Sequence, residues 1–187
     1  GDTGAGKRRG MSAAPRVEHP REDYETRIYG KTASLFAGST EMGGVIGKAP
    51  EAHIQELKGY GGDVGMAFQI VDDVLDLTQE SSDIGKPAGN DLRQGTVTLP
   101  VMIYAEQIGA SSDRASTLRA VVEGTITDNE TIDDLVRDIR GTSAIDEALA
   151  SARTFTERAK RRIEIVPDAD TRDLLSEVAD LAFQRLS

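Results

Sequence analysis

Three aspartates stand inside an otherwise apolar stretch of the sequence, MAFQIVDDVLDLT at residues 66–78. They are Asp72, Asp73 and Asp76, and apolar side chains border them on both sides. Asp72 and Asp76 are one helical turn apart and share a face, and Asp73 lies about 100° round the helix from Asp72. A carboxylate that is buried without a partner costs far more free energy than helix propensity returns. The pattern therefore predicts a compensating group.

A divalent cation is one such group. Carboxylates that converge at one helix edge repel each other unless a cation lies between them, and oxygen ligands favour Mg²⁺ or Ca²⁺. Mg²⁺ typically takes one or two carboxylates and completes its coordination with water and substrate phosphate. The alternative is a helix that reaches the surface here, with its aspartates solvated. The apolar residues on both sides of the cluster favour the metal site.

Two lysines flank this cluster along the chain and suit a phosphate ligand. Lys31 lies in YGKTASLF, and Lys86 lies in DIGKPAGNDLRQGTVTLP. A lysine ammonium is a compact positive charge that binds phosphate well. Carboxylates, a divalent metal and lysines together would suit a diphosphate. The alternative for each lysine is an ordinary exposed charge, which is the commoner case for an isolated lysine.

Three motifs occur in order, YGKTASLFAGSTEMGGVIG, YGGDVGMAFQIVDDVLDLT and DIGKPAGNDLRQGTVTLP, and together they resemble the trans-prenyl diphosphate synthases, or polyprenyl synthetases. The resemblance implies an all-α, isoprenoid-synthase-type helical bundle around a deep apolar cavity, usually as a homodimer. It also implies an Mg²⁺-dependent prenyltransferase of isoprenoid biosynthesis. Such an enzyme joins an allylic diphosphate to isopentenyl diphosphate and makes a longer trans-polyprenyl diphosphate.

The resemblance also implies a role for individual residues. Asp72, Asp73 and Asp76 match the second aspartate-rich motif, which holds Mg²⁺ against the allylic diphosphate. Lys31 and Lys86 match lysines that contact the same diphosphate. Thr32 and Gln69 match the polar pair whose oxygens face the developing allylic cation, and Asp91 lies in the matching substrate-binding loop.

The sequence departs from the family in its N-terminal part. No first aspartate-rich motif is present, and Thr96 stands where many members have lysine. We therefore expect a truncated chain, with residues 1–21 as an irregular lead-in and residues 22–187 as the C-terminal part of a synthase domain. A non-catalytic half-domain that supplies one metal-binding wall in trans is an alternative, and a terpene cyclase of the same fold is another. Product chain length does not follow from these motifs.

Composition restricts the remaining function classes. The chain has 187 residues, no cysteine and a net charge of -10. The absence of cysteine excludes disulfides and thiolate metal sites, and the acidic balance argues against a nucleic-acid partner. No apolar run reaches the roughly 18 residues of a bilayer span. We expect a cytoplasmic protein that forms a homodimer or hetero-oligomer.

Helices are the elements expected to position these residues. Hydrophobic periodicity predicts helices from Glu22 to about Gly47 and from about Glu51 to Thr78, and another that Thr98 caps and that continues to Ile108. Residues 81–95 are predicted to form a long polar loop. Apolar residues at helical spacing predict three further helices, with Ile132, Leu135, Val136 and Ile139 in the first, Ile145, Leu149, Ala152 and Ala159 in the second, and Leu174, Val178, Leu181 and Leu186 in the third.

Overall fold

The structure, a computed structural model, describes residues 21–79 and 88–184. Within these ranges the chain is helical and contains no strand, which confirms the predicted all-α class. The helices are α1 (Arg21–Ile28), α2 (Ser34–Ile46), α3 (Glu51–Thr78), α4 (Asn90–Arg93), α5 (Leu99–Ile108), α6 (Asp113–Val122), α7 (Asn129–Arg140), α8 (Ala144–Arg162) and α9 (Ala169–Gln184), with a π-helical turn (Tyr29–Ala33) between α1 and α2 and a 3-10 turn (Ile163–Ile165) after α8. None of the helices in these ranges has both the length and the hydropathy that a bilayer span requires.

Helix α3 is the central element of the fold, and its observed bounds match the predicted ones. It packs mainly against α2 and α8. From Tyr60 to Leu77 almost every α3 side chain is buried, and the exposed exception is Asp72. The segment that carries the aspartates is therefore a core helix over most of its circumference.

A π-helical turn joins α1 to α2, so the single helix predicted over this region is interrupted in its hydrogen bonding. The buried residues along it are Tyr24, Ile28, Ala33 and Ala37. Steps of four keep side chains on one face of an α-helix, but the step from Ile28 to Ala33 is five. The wider π turn absorbs the additional residue, so both halves of the segment keep their buried face.

Helices α2 and α3 approach closely where α3 carries glycines. A Cβ at Gly61 would lie 2.3 Å from Thr40 Oγ1 and 2.4 Å from the Phe36 carbonyl oxygen. A Cβ at Gly65 would lie 2.5 Å from Ala33 Cα, in the π turn. These two glycines are needed for close packing.

An ion cluster around the buried residue Asp63 joins α3 to α8. Asp63 is 4% exposed, and its carboxylate accepts hydrogen bonds from Arg158 Nε at 2.9 Å and from Arg162 Nε at 2.8 Å. Arg162 also donates to Glu56 at 3.0 Å. Removal of either arginine would leave a buried carboxylate with fewer partners, which is strongly unfavourable.

Part of the predicted polar loop is helical. The short helix α4 lies inside residues 81–95, and the carboxylate of Asp76 accepts hydrogen bonds from the backbone N–H groups of Asn90 and Asp91 at its start. The loop prediction was wrong for Asn90–Arg93, because the groups that cap this short helix come from Asp76 in α3 and not from the neighbouring sequence. Residues 80–87, which include Lys86, lie outside the described residues. The predicted lead-in, residues 1–21, also lies outside the described residues except for Arg21, which is the first residue of α1.

Two further helix starts differ from the predictions. Thr98 stands at the start of α5, but within the described ranges its hydroxyl accepts no hydrogen bond from the first turn. Helix α6 has no counterpart among the sequence-based predictions. A local signal for it existed, because the Ser112 side chain accepts a hydrogen bond from the Ala115 N–H, in the manner of an N-cap.

The C-terminal helix is present, but the apolar residues whose spacing predicted it are not its buried residues. Leu174, Val178 and Leu181 are 61%, 41% and 63% exposed, whereas the buried residues of α9 are Ala179 and Ala182. The small alanines pack in a cluster with Tyr60 of α3 and Ala159 of α8, where larger side chains would separate the helices. Leu186 lies outside the described residues.

The close contact at Gly61 gives a first prediction. Gly61→Ala should lower the free energy of unfolding by about 1–3 kcal/mol, because the new methyl group overlaps the Phe36 backbone. The matched control is Gly38→Ala in α2, where a Cβ meets nothing within 4 Å. The control should be more stable than wild type by about 0.5–1 kcal/mol. Urea unfolding followed by circular dichroism measures both changes, and a Gly61→Ala chain as stable as wild type would contradict the packing.

Candidate functional site

Of the three aspartates Asp72, Asp73 and Asp76, the fully buried one is Asp73, at 4% exposure. Its Oδ2 accepts a hydrogen bond from the Tyr24 hydroxyl at 2.7 Å, and its Oδ1 accepts one from Gln69 Nε2 at 2.9 Å. Burial raises the pKa of Asp73 to about 6, although these two hydrogen bonds lower it. Neutral donors from α1 and α3 therefore supply part of the compensation that the sequence requires.

Asp76 is half-buried and has a different environment. Its two carboxylate oxygens accept the N–H groups of Asn90 and Asp91 at 3.1 and 3.0 Å, and its backbone carbonyl accepts the N–H of Gly89 at 2.7 Å. Burial raises the pKa of Asp76, and the bonds from the backbone lower it. Asp76 thus fixes the start of α4, which carries Asp91, against the end of α3.

Asp72 is exposed, on the side of α3 away from the core. Its charge raises the pKa of both Asp76 and Asp91. For Asp91 the largest effect is burial, which raises the pKa, and the next is the positive charge of Lys31, which lowers it. The structure therefore brings four of the predicted site residues into one electrostatic group, Lys31, Asp72, Asp76 and Asp91.

Lys31 and Thr32 lie on the π turn. The Thr32 hydroxyl donates to Gln69 Oε1 at 2.7 Å, so the predicted polar pair is in direct contact. Gln69 is 6% exposed and links Thr32 to Asp73 through the two ends of its amide. Single π turns inside α-helices occur frequently at functional sites.

These carboxylates suit a hard divalent cation by their chemistry. Within residues 21–79 and 88–184, no three or more histidine, cysteine, aspartate or glutamate side chains converge as a metal-binding group. The neighbouring charges of Asp72 and Asp91 nevertheless raise the pKa of Asp76, and a divalent cation relieves repulsion of this kind. A carboxylate has about four lone-pair positions, so Asp73 and Asp76 retain acceptor capacity beside the bonds that they already make.

Two residues near the site were not predicted from the sequence. Tyr24 supplies the phenol that bonds Asp73, and Arg27 contributes a positive charge that lowers the pKa of Asp91. The Arg27 guanidinium also donates to the Val97 carbonyl at 2.5 Å. No local motif marks either residue, because their partners lie far along the chain.

An open groove of about 610 Å³ lies beside this region, between α1, α3 and α8. Tyr29 and Met66 contribute to its walls, as does the cluster of Asp63, Arg158 and Arg162. Of the predicted site residues in the described part of the chain, none lines it. We therefore do not assign this groove as the deep apolar cavity that the resemblance implies.

Comparison with known proteins identifies relatives of this chain. Component 2 of heptaprenyl diphosphate synthase from Geobacillus stearothermophilus is 38% identical over 88% of this chain and 49% of its own length. The short chain isoprenyl diphosphate synthase of Methanothermobacter thermautotrophicus is 31% identical over 94% of this chain and 53% of its own length. The chain thus spans about half the length of these relatives.

Solved structures agree with the sequence relatives. A polyprenyl synthase from Caulobacter crescentus, complexed with calcium and isoprenyl diphosphate, superposes with a TM-score of 0.85 at 29% identity, over 95% of this chain and 53% of that one. A decaprenyl diphosphate synthase from Rhodobacter capsulatus gives a TM-score of 0.81 at 31% identity, over 95% of this chain and 54% of that one. The family model for polyprenyl synthetase matches residues 6–139. This chain belongs to the polyprenyl synthetase family.

Proposed function

We propose that this chain acts as an Mg²⁺-dependent prenyltransferase that condenses an allylic diphosphate with isopentenyl diphosphate to give a longer trans-polyprenyl diphosphate. One observation carries the proposal: the Thr32–Gln69–Asp73 hydrogen-bond chain lies beside the charged group of Lys31, Asp72, Asp76 and Asp91. Polar oxygens and charged groups suited to a diphosphate are thereby combined around adjacent turns of α3.

The names of the relatives support a synthase and do not favour the alternatives. The proteins compared above are named as short chain isoprenyl, heptaprenyl and decaprenyl diphosphate synthases and as a polyprenyl synthase. A non-catalytic half-domain and a terpene cyclase have no such support. The expected cytoplasmic location and the absence of a nucleic-acid partner stay predictions.

Cleavage of the allylic C–O bond leaves a carbocation and an inorganic diphosphate, so catalysis consists largely of charge stabilisation. Lys31 and Lys86 would bind the diphosphate oxygens, and Asp91 would contribute to the substrate site through its charge interaction with Lys31. Thr32 and Gln69 would direct oxygen atoms at the carbocation. Their hydrogen bonds within the protein fix these oxygens before the substrate binds, so little reorganisation accompanies the reaction.

We propose Asp72, Asp73 and Asp76 as the residues that would hold Mg²⁺. Asp72 is exposed and would approach the cation directly, whereas Asp73 and Asp76 would use the lone pairs that their present bonds leave open. Bound Mg²⁺ would offset the negative charge of the departing diphosphate. The calcium and isoprenyl diphosphate of the Caulobacter structure support a divalent cation and a diphosphate as ligands of this site.

Binding of farnesyl diphosphate tests the site directly. Titration calorimetry should show binding in Mg²⁺ and none in EDTA, because the carboxylates repel the diphosphate without a cation. Asp72→Ala should weaken the Mg²⁺-dependent binding at least about tenfold, or about 1.4 kcal/mol. Asp146→Ala, which changes an exposed aspartate on α8, is the matched control and should bind as wild type does. Absence of binding in the wild-type chain, or equal binding in EDTA, would count against the proposed function.

The pKa of Asp73 gives a pH-dependent prediction. In the folded state the pKa of Asp73 is about 6, above its ordinary value of 3.8. Between about pH 4 and pH 6 the folded chain therefore binds more protons than the unfolded chain. In EDTA, the free energy of unfolding should therefore fall as the pH rises through this window. Mg²⁺ binds deprotonated carboxylates, so it should raise the melting temperature more at about pH 8 than at about pH 5. Thermal unfolding of wild type and Asp72→Ala tests this, and equal Mg²⁺ effects at both pH values would contradict it.

We propose further that the outer face of α2 packs against a second polypeptide. Leu35, Met42 and Ile46 follow one face of this helix and are 71%, 60% and 74% exposed. Exposed apolar groups of this kind often mark interfaces. The name "component 2" of two relatives supports an enzyme with more than one subunit.

Sedimentation measurements test this surface. The wild-type chain should sediment as a homodimer, and the double variant Leu35→Gln, Ile46→Gln should sediment as a monomer, because it places polar groups in the interface. Leu174→Gln on α9 is the control for an exposed leucine elsewhere, and it should leave the mass unchanged. A monomeric wild-type chain would contradict self-association and would leave a different subunit as the partner.

A further inference from the structure

We propose that Tyr24 is a positioning residue of the active site, which acts on Thr32 through Asp73 and Gln69. The inference rests on the proposed function. Four side chains form one continuous series of hydrogen bonds, from the Tyr24 hydroxyl to Asp73 at 2.7 Å, from Gln69 Nε2 to Asp73 at 2.9 Å, and from the Thr32 hydroxyl to Gln69 Oε1 at 2.7 Å. The series joins α1, α3 and the π turn.

The direction of each bond in the series is fixed by the chemistry of its members. An ionised carboxylate only accepts hydrogen bonds, so Asp73 requires a donor at each of its two partners. A tyrosine phenol is protonated at neutral pH, so the Tyr24 hydroxyl donates to Asp73 Oδ2. The Gln69 amide must then turn its NH₂ group toward Asp73 and its oxygen toward Thr32.

This orientation decides what Thr32 presents to a ligand. Because Gln69 offers Thr32 an oxygen, the Thr32 hydroxyl must donate its proton inward. The lone pairs of Thr32 Oγ1 then remain available to a ligand on the side away from Gln69, and they suit a positively charged centre. With the amide reversed, Thr32 would accept from Gln69 and could direct its proton at the ligand. A carbocation would then face the positive end of the O–H dipole.

Tyr24 is required for this arrangement because Asp73 is buried. The Tyr24 side chain is 1% exposed and supplies one of the two donors to Asp73. Without it, the carboxylate would retain the Gln69 amide as its described partner and would be able to rotate toward another donor. We therefore expect the loss of a single hydroxyl on α1 to leave the Asp73 carboxylate less firmly placed, and with it the Gln69 amide that bonds to it.

The first test observes Gln69 without any requirement for turnover. In the ¹⁵N-labelled chain, Tyr24→Phe should shift the side-chain amide resonances of Gln69 and speed the exchange of their protons with solvent. The matched control is Tyr60→Phe, since Tyr60 is also buried at 2% exposure and its hydroxyl donates to the Leu175 carbonyl at 2.7 Å. Tyr60→Phe should leave the Gln69 resonances as in wild type, even if it lowers stability equally. Unchanged Gln69 resonances in a folded Tyr24→Phe chain would overturn the proposal.

A second variant covers the case in which Tyr24→Phe does not fold. Asp73→Asn replaces a group that only accepts by one that can also donate, so the Gln69 amide is no longer restricted to one orientation. The same Gln69 resonances should shift in this variant, and their persistence at the wild-type positions would overturn the proposal.

Steady-state kinetics in an active preparation give the functional readout. Tyr24→Phe should lower kcat about 10- to 100-fold, as removal of a group that supports a catalytic residue typically does, with KM for the allylic diphosphate unchanged. A change in KM alone would overturn the assignment to Thr32 and Gln69. The two proposals fail separately. If the diphosphate does not bind but the Gln69 resonances shift in Tyr24→Phe, only the proposed function is contradicted. If the Gln69 resonances are unchanged, the role of Tyr24 is contradicted whether or not the diphosphate binds.

Discussion

The burial of the Asp73 carboxylate constrains how three segments of the chain meet. Such a group is tolerated only with hydrogen-bond donors at both oxygens, and Tyr24 and Gln69 provide them from α1 and α3. Through Gln69 the same series reaches Thr32 on the π turn. The requirement that stabilises a buried charge therefore also aligns the polar groups of the proposed active site.

Close helix packing allows these bonds to form. The π turn can lie against α3 because Gly65 leaves room for the backbone of Ala33, and α2 continues the contact at Gly61. The π turn also brings Lys31 and Thr32 to the side of α3 that carries Gln69 while Ile28 and Ala33 stay buried. Packing and chemistry are thus coupled, since a change in helix spacing would alter the Thr32–Gln69 contact.

Local patterns predicted the parts of the fold that depend on local interactions. The bounds of α3 followed from its hydrophobic periodicity, as did the existence of α7, α8 and α9. Helix α4 and the π turn did not follow, because Asp76 caps α4 from another helix and tertiary packing places the π turn. The apolar residues whose spacing predicted α9 are exposed, because small alanines fit the space beside Tyr60.

For the candidate site, the sequence by itself determined which chemical groups are available: carboxylates one turn apart, lysines on either side of them along the chain, and the Thr32–Gln69 pair of the family. Their residue types and spacing predicted a metal–diphosphate site, and the resemblance of three sequence motifs predicted the polyprenyl synthetase family. Only the tertiary structure decided that Asp73 is buried, that Asp76 caps a helix and that Asp72 is exposed. The physical reason is that burial depends on residues distant in sequence, as with Tyr24, which lies 49 positions from Asp73.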